Sequence, residues 1–263
     1  MLIAIGRGVV MQAFYKTDQG KVRLHNEDNG GVFFKTDKCC LAIVADGMGG
    51  HNAGEIASRI AVQKLAHEWE LMDEHFNPEK AEKWLNETIN DANKEIYLES
   101  LENEDRAGMG TTVVAAICSE SFVTIANIGD SRCYLLNELG FKQLTEDHSL
   151  INELLKLGEI SEEDAKVHPR KNLLMKALGT EDHCEVDIKT IICDEDDRLL
   201  LCSDGLSNKL TAEELEQILS LEKNVEEKAN EYIQKANENG GEDNISVAII
   251  DFTPHVESGC ESC

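Results

Sequence analysis

The tightest constraint on this chain is a pair of neighbouring segments, apolar at almost every position, with only three residues between them. Thr111–Cys118 (TTVVAAIC) and Phe122–Ile128 (FVTIANI) are joined by Ser119, Glu120 and Ser121. A connection that short makes the two an antiparallel hairpin. Antiparallel strands with one wet face alternate apolar and polar residues; these do not, so both of their faces need apolar cover. Arg198–Cys202 (RLLLC) shows the same lack of alternation. Such a sheet packs one face on a second sheet and the other on helices.

The rest of the pattern supplies both partners. Gly31–Phe34, Cys40–Ala45, Arg132–Leu136, Phe141–Leu144, Val186–Cys193 and Ile245–Phe252 are further strand candidates. From Ala53, the residues Ile56, Ala57, Ile60, Ala61, Leu65 and Trp69 fall on one helical stripe. A second helix opens at Asn77-Pro78, asparagine as cap and proline in the first turn, and carries Trp84, Leu85, Ile89, Ala92 and Ile96. Thr211-x-x-Glu214 reads as a capping box, and a last helix runs from about Val225 to Glu238, where Gly240-Gly241 ends it. The expected fold class is α+β: a sandwich of two antiparallel β-sheets flanked by α-helices, in four layers α/β/β/α. There is no repeat, low-complexity tract or linker, so residues 11–254 are read as one domain, 1–10 as an N-terminal extension and 255–263 as a polar tail.

Charge narrows the function. The chain carries 51 acidic and 25 basic side chains, a formal net charge of −26. That argues against nucleic acid and against insertion into, or binding to, an anionic membrane. A phosphate-bearing substrate would have to meet local positive charge, from arginine or from bound metal ions. The nine cysteines are odd in number and mostly lie in or beside apolar runs, with no signal peptide ahead of them. Reduced, buried thiols in a cytoplasmic protein are expected. Cys260-x-x-Cys263 is a lone pair and cannot close a tetrahedral zinc site.

The chemistry is written in where the carboxylates fall. LAIVA runs into Asp46-Gly47, VTIANI into Gly129-Asp130, and RLLLCS into Asp204-Gly205; Asp243 precedes ISVAII, and Asp28 closes Asn26-Glu27-Asp28. One Asp-Gly is an ordinary turn signal. Several acids gathered at one sheet edge would repel one another unless cations sat between them. Oxygen-only ligation, without a histidine or cysteine cluster, selects Mg²⁺ or Mn²⁺ over zinc. Two such ions roughly 3.5–4 Å apart bridge one water, lower its pKa, and turn an acidic cleft into one that attracts phosphate. Arg23, five residues before Asp28, is the candidate anion partner, since a guanidinium grips two phosphate oxygens at once.

In order and spacing, Asp18-Gln19-Gly20-Lys21-Val22-Arg23, Asn26-Glu27-Asp28, Ala45-Asp46-Gly47-Met48-Gly49-Gly50-His51, Gly110-Thr111-Thr112, Asn127-Ile128-Gly129-Asp130-Ser131-Arg132, Ser203-Asp204-Gly205 and Glu242-Asp243-Asn244 form one set. This set resembles the metal-dependent protein serine/threonine phosphatases of type 2C, in their bacterial form. The likeness runs from about Asp18 to Phe252. It implies a binuclear Mn²⁺ or Mg²⁺ centre with Asp46 bridging the ions, the Gly47 carbonyl on one, and Asp204 and Asp243 on the other. Asp28 and Glu27 would act mainly through metal-bound waters, and Asp130 with Asp204 would form a third, weaker site. Arg23 would hold the substrate phosphate. Residues 145 to about 171, with Asp147-His148-Ser149 and His168-Pro169-Arg170, would form a flap beside the cleft.

The reaction implied is in-line attack of metal-activated hydroxide on phosphoserine or phosphothreonine, without a phosphoenzyme. No Cys-x5-Arg loop is present; Cys193 to Arg198 is one residue short. Met48 stands where eukaryotic relatives have histidine, which leaves His51 or a metal-bound water to protonate the leaving group. The implied partners are phosphoproteins and a Ser/Thr protein kinase acting in opposition, the enzyme itself being a monomer. Three rivals are weaker. A dinucleotide loop at Gly47-Met48-Gly49 has Asn52 where its third glycine belongs, and Asp46 would face the pyrophosphate. A catalytically dead phosphoprotein binder would lack a metal ligand, and a metal buffer would bind Mn²⁺ without turnover.

Overall fold

Strand β3 (Cys39–Met48) divides its side chains between two cores. Leu41, Ile43 and Ala45 face helices, whereas Cys40, Ala42 and Val44 face a second sheet. Strand β5 (Val113–Cys118) does the same, with Val113, Ala115 and Ile117 on one side and Val114, Ala116 and Cys118 on the other. All twelve are fully buried. The unbroken apolar runs are therefore the middle of a sandwich, wetted on neither face.

The computed structural model describes residues 9–50, 52–72, 77–170 and 173–254. One sheet holds β2 (Asp28–Thr36), β3, β5, β6 (Phe122–Ile128) and β9 (Asp187–Ile192) in that order, with β4 (Gly110–Thr111) paired to the end of β3. The helices α1 (Ala53–Leu71) and α2 (Pro78–Glu102) cover it, and Trp69 joins the layers by donating to the Phe33 carbonyl at 2.9 Å. The other sheet runs β1 (Val9–Asp18), β11 (Ile245–Pro254), β10 (Arg198–Cys202), β7 (Arg132–Asn137), β8 (Gly140–Gln143). On its outer face lie α6 (Ala212–Leu219) and α7 (Val225–Glu238), sharing a core with Leu200, Cys202, Val247 and Ile249. Every pairing is antiparallel. This is the α/β/β/α sandwich expected from pattern. Among the described residues, no helix is long and apolar enough to cross a membrane.

The caps also follow the sequence. The Asn77 side chain accepts from the Lys80 amide, and Thr211 and Glu214 close a capping box; α7 opens with a second box, Asn224 and Glu227. Departures have local causes. Strand β1 was not among the expected strands, and it begins inside the segment assigned to the extension. It is an edge strand that buries Met11 fully and leaves Gln12 and Thr17 exposed, which blurs its periodicity. Strand β3 does not turn at Asp46-Gly47 but continues, with Gly47 opposite Thr111 and Met48 opposite Gly110. The short helices α3 (Leu150–Lys156), α4 (Glu162–Val167) and α5 (Asp204–Ser207) carry too few residues for a helical stripe. The tail from 255, with Cys260 and Cys263, lies outside the described residues.

One ion pair is largely buried: Lys228 on α7 lies 2.7 Å from Asp251 on β11, with the lysine 1% and the aspartate 12% exposed. Removing one partner strands the other's charge in an apolar core. Lys228→Ala is expected to cost about 3–5 kcal/mol in urea unfolding, whereas Lys228→Met with Asp251→Leu should return most of it. Similar losses in both variants would contradict this.

Candidate active site

Backbone pairing brings the acids to one end of the sandwich. Asp28, first residue of β2, stands opposite Asp46 on β3. Asp18, last residue of β1, stands opposite Ile245, so the segment leading through Arg23 to Asp28 lies against Asp243 and Asn244. The Ser203 amide donates to the Ser246 carbonyl at 3.1 Å and the Ser246 amide to Ser203 Oγ at 2.9 Å, which draws Asp204 to the same place. Gly129, at φ +105°, turns the chain from β6 into Asp130.

Polar side chains between these segments hold their positions. Asn244 accepts from the Glu27 amide through Oδ1 (2.8 Å), and its Nδ2 donates to the carbonyls of Gln19 (2.8 Å) and His25 (2.9 Å). Thr112 Oγ1 accepts from the Asp46 amide at 2.9 Å, while the Thr111 hydroxyl donates to the Asp46 carbonyl at 2.9 Å. Ser203 donates to Asp28 Oδ2 at 2.8 Å, and Ser58 donates to the Glu27 carbonyl at 2.6 Å. Gly47 is required by space: a Cβ there would stand 2.2 Å from the Gly54 carbonyl oxygen and 2.5 Å from that of Glu27.

The electrostatics are those of a crowded acidic site. Burial, and secondarily the charges of Asp204 and Asp243, push Asp28 up to about 7, partly offset by hydroxyls of Ser246 and Ser203. Burial followed by Asp28, Asp204, Asp130 and Asp243 holds Asp46 well above the usual carboxylate range. Asp130 rises to about 7 through burial and then Asp204 and Asp147. Asp204 is raised by burial and Asp243, and Glu27 by burial. Asp28 Oδ1 is buried and has no hydrogen-bond partner among the described residues. Arg23 supplies the opposite sign: Nη2 donates to Asp243 Oδ2 at 2.8 Å while about half of its side chain stays exposed.

The structure thus assembles Arg23, Asp28, Asp46, Gly47, Asp130, Asp204 and Asp243 around one end, with Glu27 beside them. Among the described residues, no three His, Cys, Asp or Glu side chains already form a finished coordination shell. An orphaned buried carboxylate oxygen, mutually raised acids and an oxygen-only donor set fit hard divalent cations. His51 lies outside the described residues. At the start of the segment expected to form a flap, Asp147 grips Arg132 with contacts of 2.6–3.1 Å, and His148 is buried, its Nδ1 accepting from the Gly129 amide at 3.1 Å. The supporting roles of Asn244, Ser203 and Thr112 were not foreseen, although each adjoins or faces a motif aspartate in the sequence.

The profile of the family described as Protein phosphatase 2C matches residues 19–245. The chain belongs to the protein phosphatase 2C family. It is 52% identical over 241 residues to the serine/threonine phosphatase stp of Listeria innocua, covering 92% of this chain and 96% of that one. The solved serine/threonine phosphatase of S. agalactiae superposes with a TM-score of 0.86 at 36% identity, covering 92% and 99% of the two chains. The catalytic domain of the serine threonine protein phosphatase PstP, solved in complex with two manganese ions, gives 0.82 at 32% identity, covering 93% and 99%. Membership makes this chain a phosphoprotein phosphatase, a hydrolase.

For this family member the raised acids set a pH dependence. With Asp28 and Asp130 near 7 when folded and near 3.8 when unfolded, the metal-free native state binds more protons than the unfolded chain between those values. Its stability is therefore expected to fall as pH rises through that window, by roughly 2–4 kcal/mol. In EDTA the melting temperature should drop about 5–15 °C from pH 5 to pH 8, and Asp28→Asn should flatten the drop. A melting temperature that rises over this range would contradict the electrostatic account.

Proposed function

We propose that this phosphatase removes phosphate from phosphoserine and phosphothreonine in proteins, using two Mn²⁺ or Mg²⁺ ions held at the acidic end of the sandwich. The observation that carries the reading is the convergence of five aspartates, from both sheets, into one electrostatically coupled group beside a half-exposed arginine. Asp46, coupled to the other four, would bridge the ions, with the Gly47 carbonyl on one and Asp204 and Asp243 on the other. Asp28 and Glu27 would act through intervening waters, and Asp130 with Asp204 would hold a third, weaker ion. The chemistry such ions supply when bound is a bridging water acidified toward neutral pH for direct attack on phosphorus, and charge neutralisation that lets phosphate enter an acidic cleft.

The chain's own groups do the rest. Arg23 is fixed on one side by Asp243, which leaves the remainder of its fork for two phosphate oxygens. Ser203 holds one oxygen of Asp28, so that its other oxygen keeps a defined direction. Thr111 and Thr112 lock the Asp46 backbone on both its amide and its carbonyl. Met48 offers no proton, and the departing serine or threonine oxygen takes one from water in the cleft.

The substrates are products of a Ser/Thr protein kinase. Among the described residues seven cysteines are free and six of them buried, which suits the cytoplasm, and a charge of −26 disfavours self-association, in keeping with a monomer. The names of the stp and PstP relatives, serine/threonine phosphatases, support the choice of phosphoamino acid, and the two manganese ions of PstP support the metal.

Hydrolysis of a phosphoserine peptide in Mn²⁺, in EDTA and by two variants tests this reading. EDTA and Asp46→Asn should abolish turnover, and Arg23→Ala should lower kcat/KM by about 10²–10³-fold. Activity that survives EDTA or Asp46→Asn would defeat the metal mechanism. Mn²⁺ binding without turnover would make the protein a metal buffer.

A further inference from the structure

We propose that Val22 and Leu24, on either side of Arg23, form an apolar subsite selecting phosphopeptides with a large aliphatic side chain next to the phosphorylated residue. The inference rests on the phosphatase reading above and adds a sequence preference to it. Val22 is 62% exposed and Leu24 84%, and both line one open cavity of about 680 Å³ together with Arg23, Glu27 and Asn52. The residue proposed to hold the phosphate thus sits between two bare aliphatic side chains.

Their exposure is built in. The segment carrying them is tied down along its length: the Lys21 amide donates to the Gly241 carbonyl at 2.7 Å, and Gln19 Nε2 donates to the Arg23 carbonyl at 2.7 Å. Asn244 ties both ends, Gln19 and His25, through one side-chain nitrogen. Gly20, at φ +76°, lies so close to β11's leading loop that a Cβ would stand 2.2 Å from the Asp243 carbonyl oxygen. A backbone held this firmly loses little entropy when a ligand covers it, so burying the two side chains on a substrate is nearly all gain.

Reach and charge name the occupant. Neighbouring residues of a peptide are about 3.8 Å apart along the chain, so a phosphate on Arg23 brings the residues beside the phosphoserine within reach of Val22 and Leu24. Glu27 lines the same cavity and Asp243 binds Arg23, which repels an acidic neighbour, while the bare Val22 and Leu24 gain most from covering by an aliphatic one.

The test compares two phosphoserine peptides, identical except for leucine or serine on both sides of the phosphoserine, with wild type and the Val22→Ser/Leu24→Ser double variant in Mn²⁺. Wild type should favour the leucine peptide about 10-fold in kcat/KM, chiefly through KM, as expected for a partly open apolar pocket. In the double variant that ratio should fall to within about twofold. Equal rates on the two peptides with wild type, or an unchanged ratio in the variant, would overturn the inference. If wild type hydrolyses neither peptide, the phosphatase reading itself fails and takes this inference with it.

Discussion

Repulsion among buried carboxylates is the interaction on which the rest of this structure depends. Asp28 and Asp46 stand opposite each other across a strand pair, with Asp130, Asp204 and Asp243 within electrostatic reach. No apolar core would place them there, and no ion pair to Arg23 neutralises more than one of them. The arrangement persists because two sheets, locked by fully buried side chains on both faces, leave the backbone no room to let the acids part. The same crowding that destabilises the chain above the acids' raised pKa values makes the site attractive to divalent cations. Folding energy from the sandwich is thus converted into affinity for positive charge.

The scaffold around the acids is polar yet closely satisfied. Asn244 makes three hydrogen bonds that tie the Arg23 segment to the lead-in of β11, and Ser203 ties the acid of one sheet to the strand end of the other. Gly47 and Gly205 add a steric part. A Cβ on Gly205 would stand 1.9 Å from the Asn244 carbonyl oxygen, so each glycine lets two backbones meet where side chains would keep them apart. Rigidity here suits the proposed role, since groups that ligate or clamp must hold their geometry within a fraction of an ångström.

Much of this was legible because layered apolar strands and acids at strand ends leave strong marks in a sequence. The four-layer sandwich followed from the absence of alternation in TTVVAAIC and FVTIANI, and helix starts followed from Asn77-Pro78 and the Thr211 box. Strand β1 was missed because an edge strand that is half wet carries little periodicity, yet its pairing with β11 is what delivers Arg23 to Asp243. The Asp46-Gly47 step looks like the end of a strand, but β4 catches it and carries the ladder two residues further. The aspartates themselves were visible, whereas the bonds made by Asn244, Ser203 and Thr112 were not. Short polar residues, even inside a motif, do not show their partners until the fold brings the facing segments together.

Stability and activity pull against each other at this end of the molecule, and the pull explains why the site is segregated from the cores. Neutralising any one of the buried acids would relieve desolvation and repulsion together, so the most stabilising substitutions available fall on the residues proposed to hold the ions. The chain tolerates the conflict by confining it. The clusters that carry the packing, around Trp69 on one side and Tyr232 on the other, lie under helices, and the inter-sheet cluster between them is built from apolar side chains such as Val44, Val114, Leu201 and Ile250. A destabilised rim on an over-determined sandwich can respond to cations and substrate without loosening the layers. The exposed Val22 and Leu24 belong to that rim: apolar area that the cores could have buried is instead held in water beside Arg23.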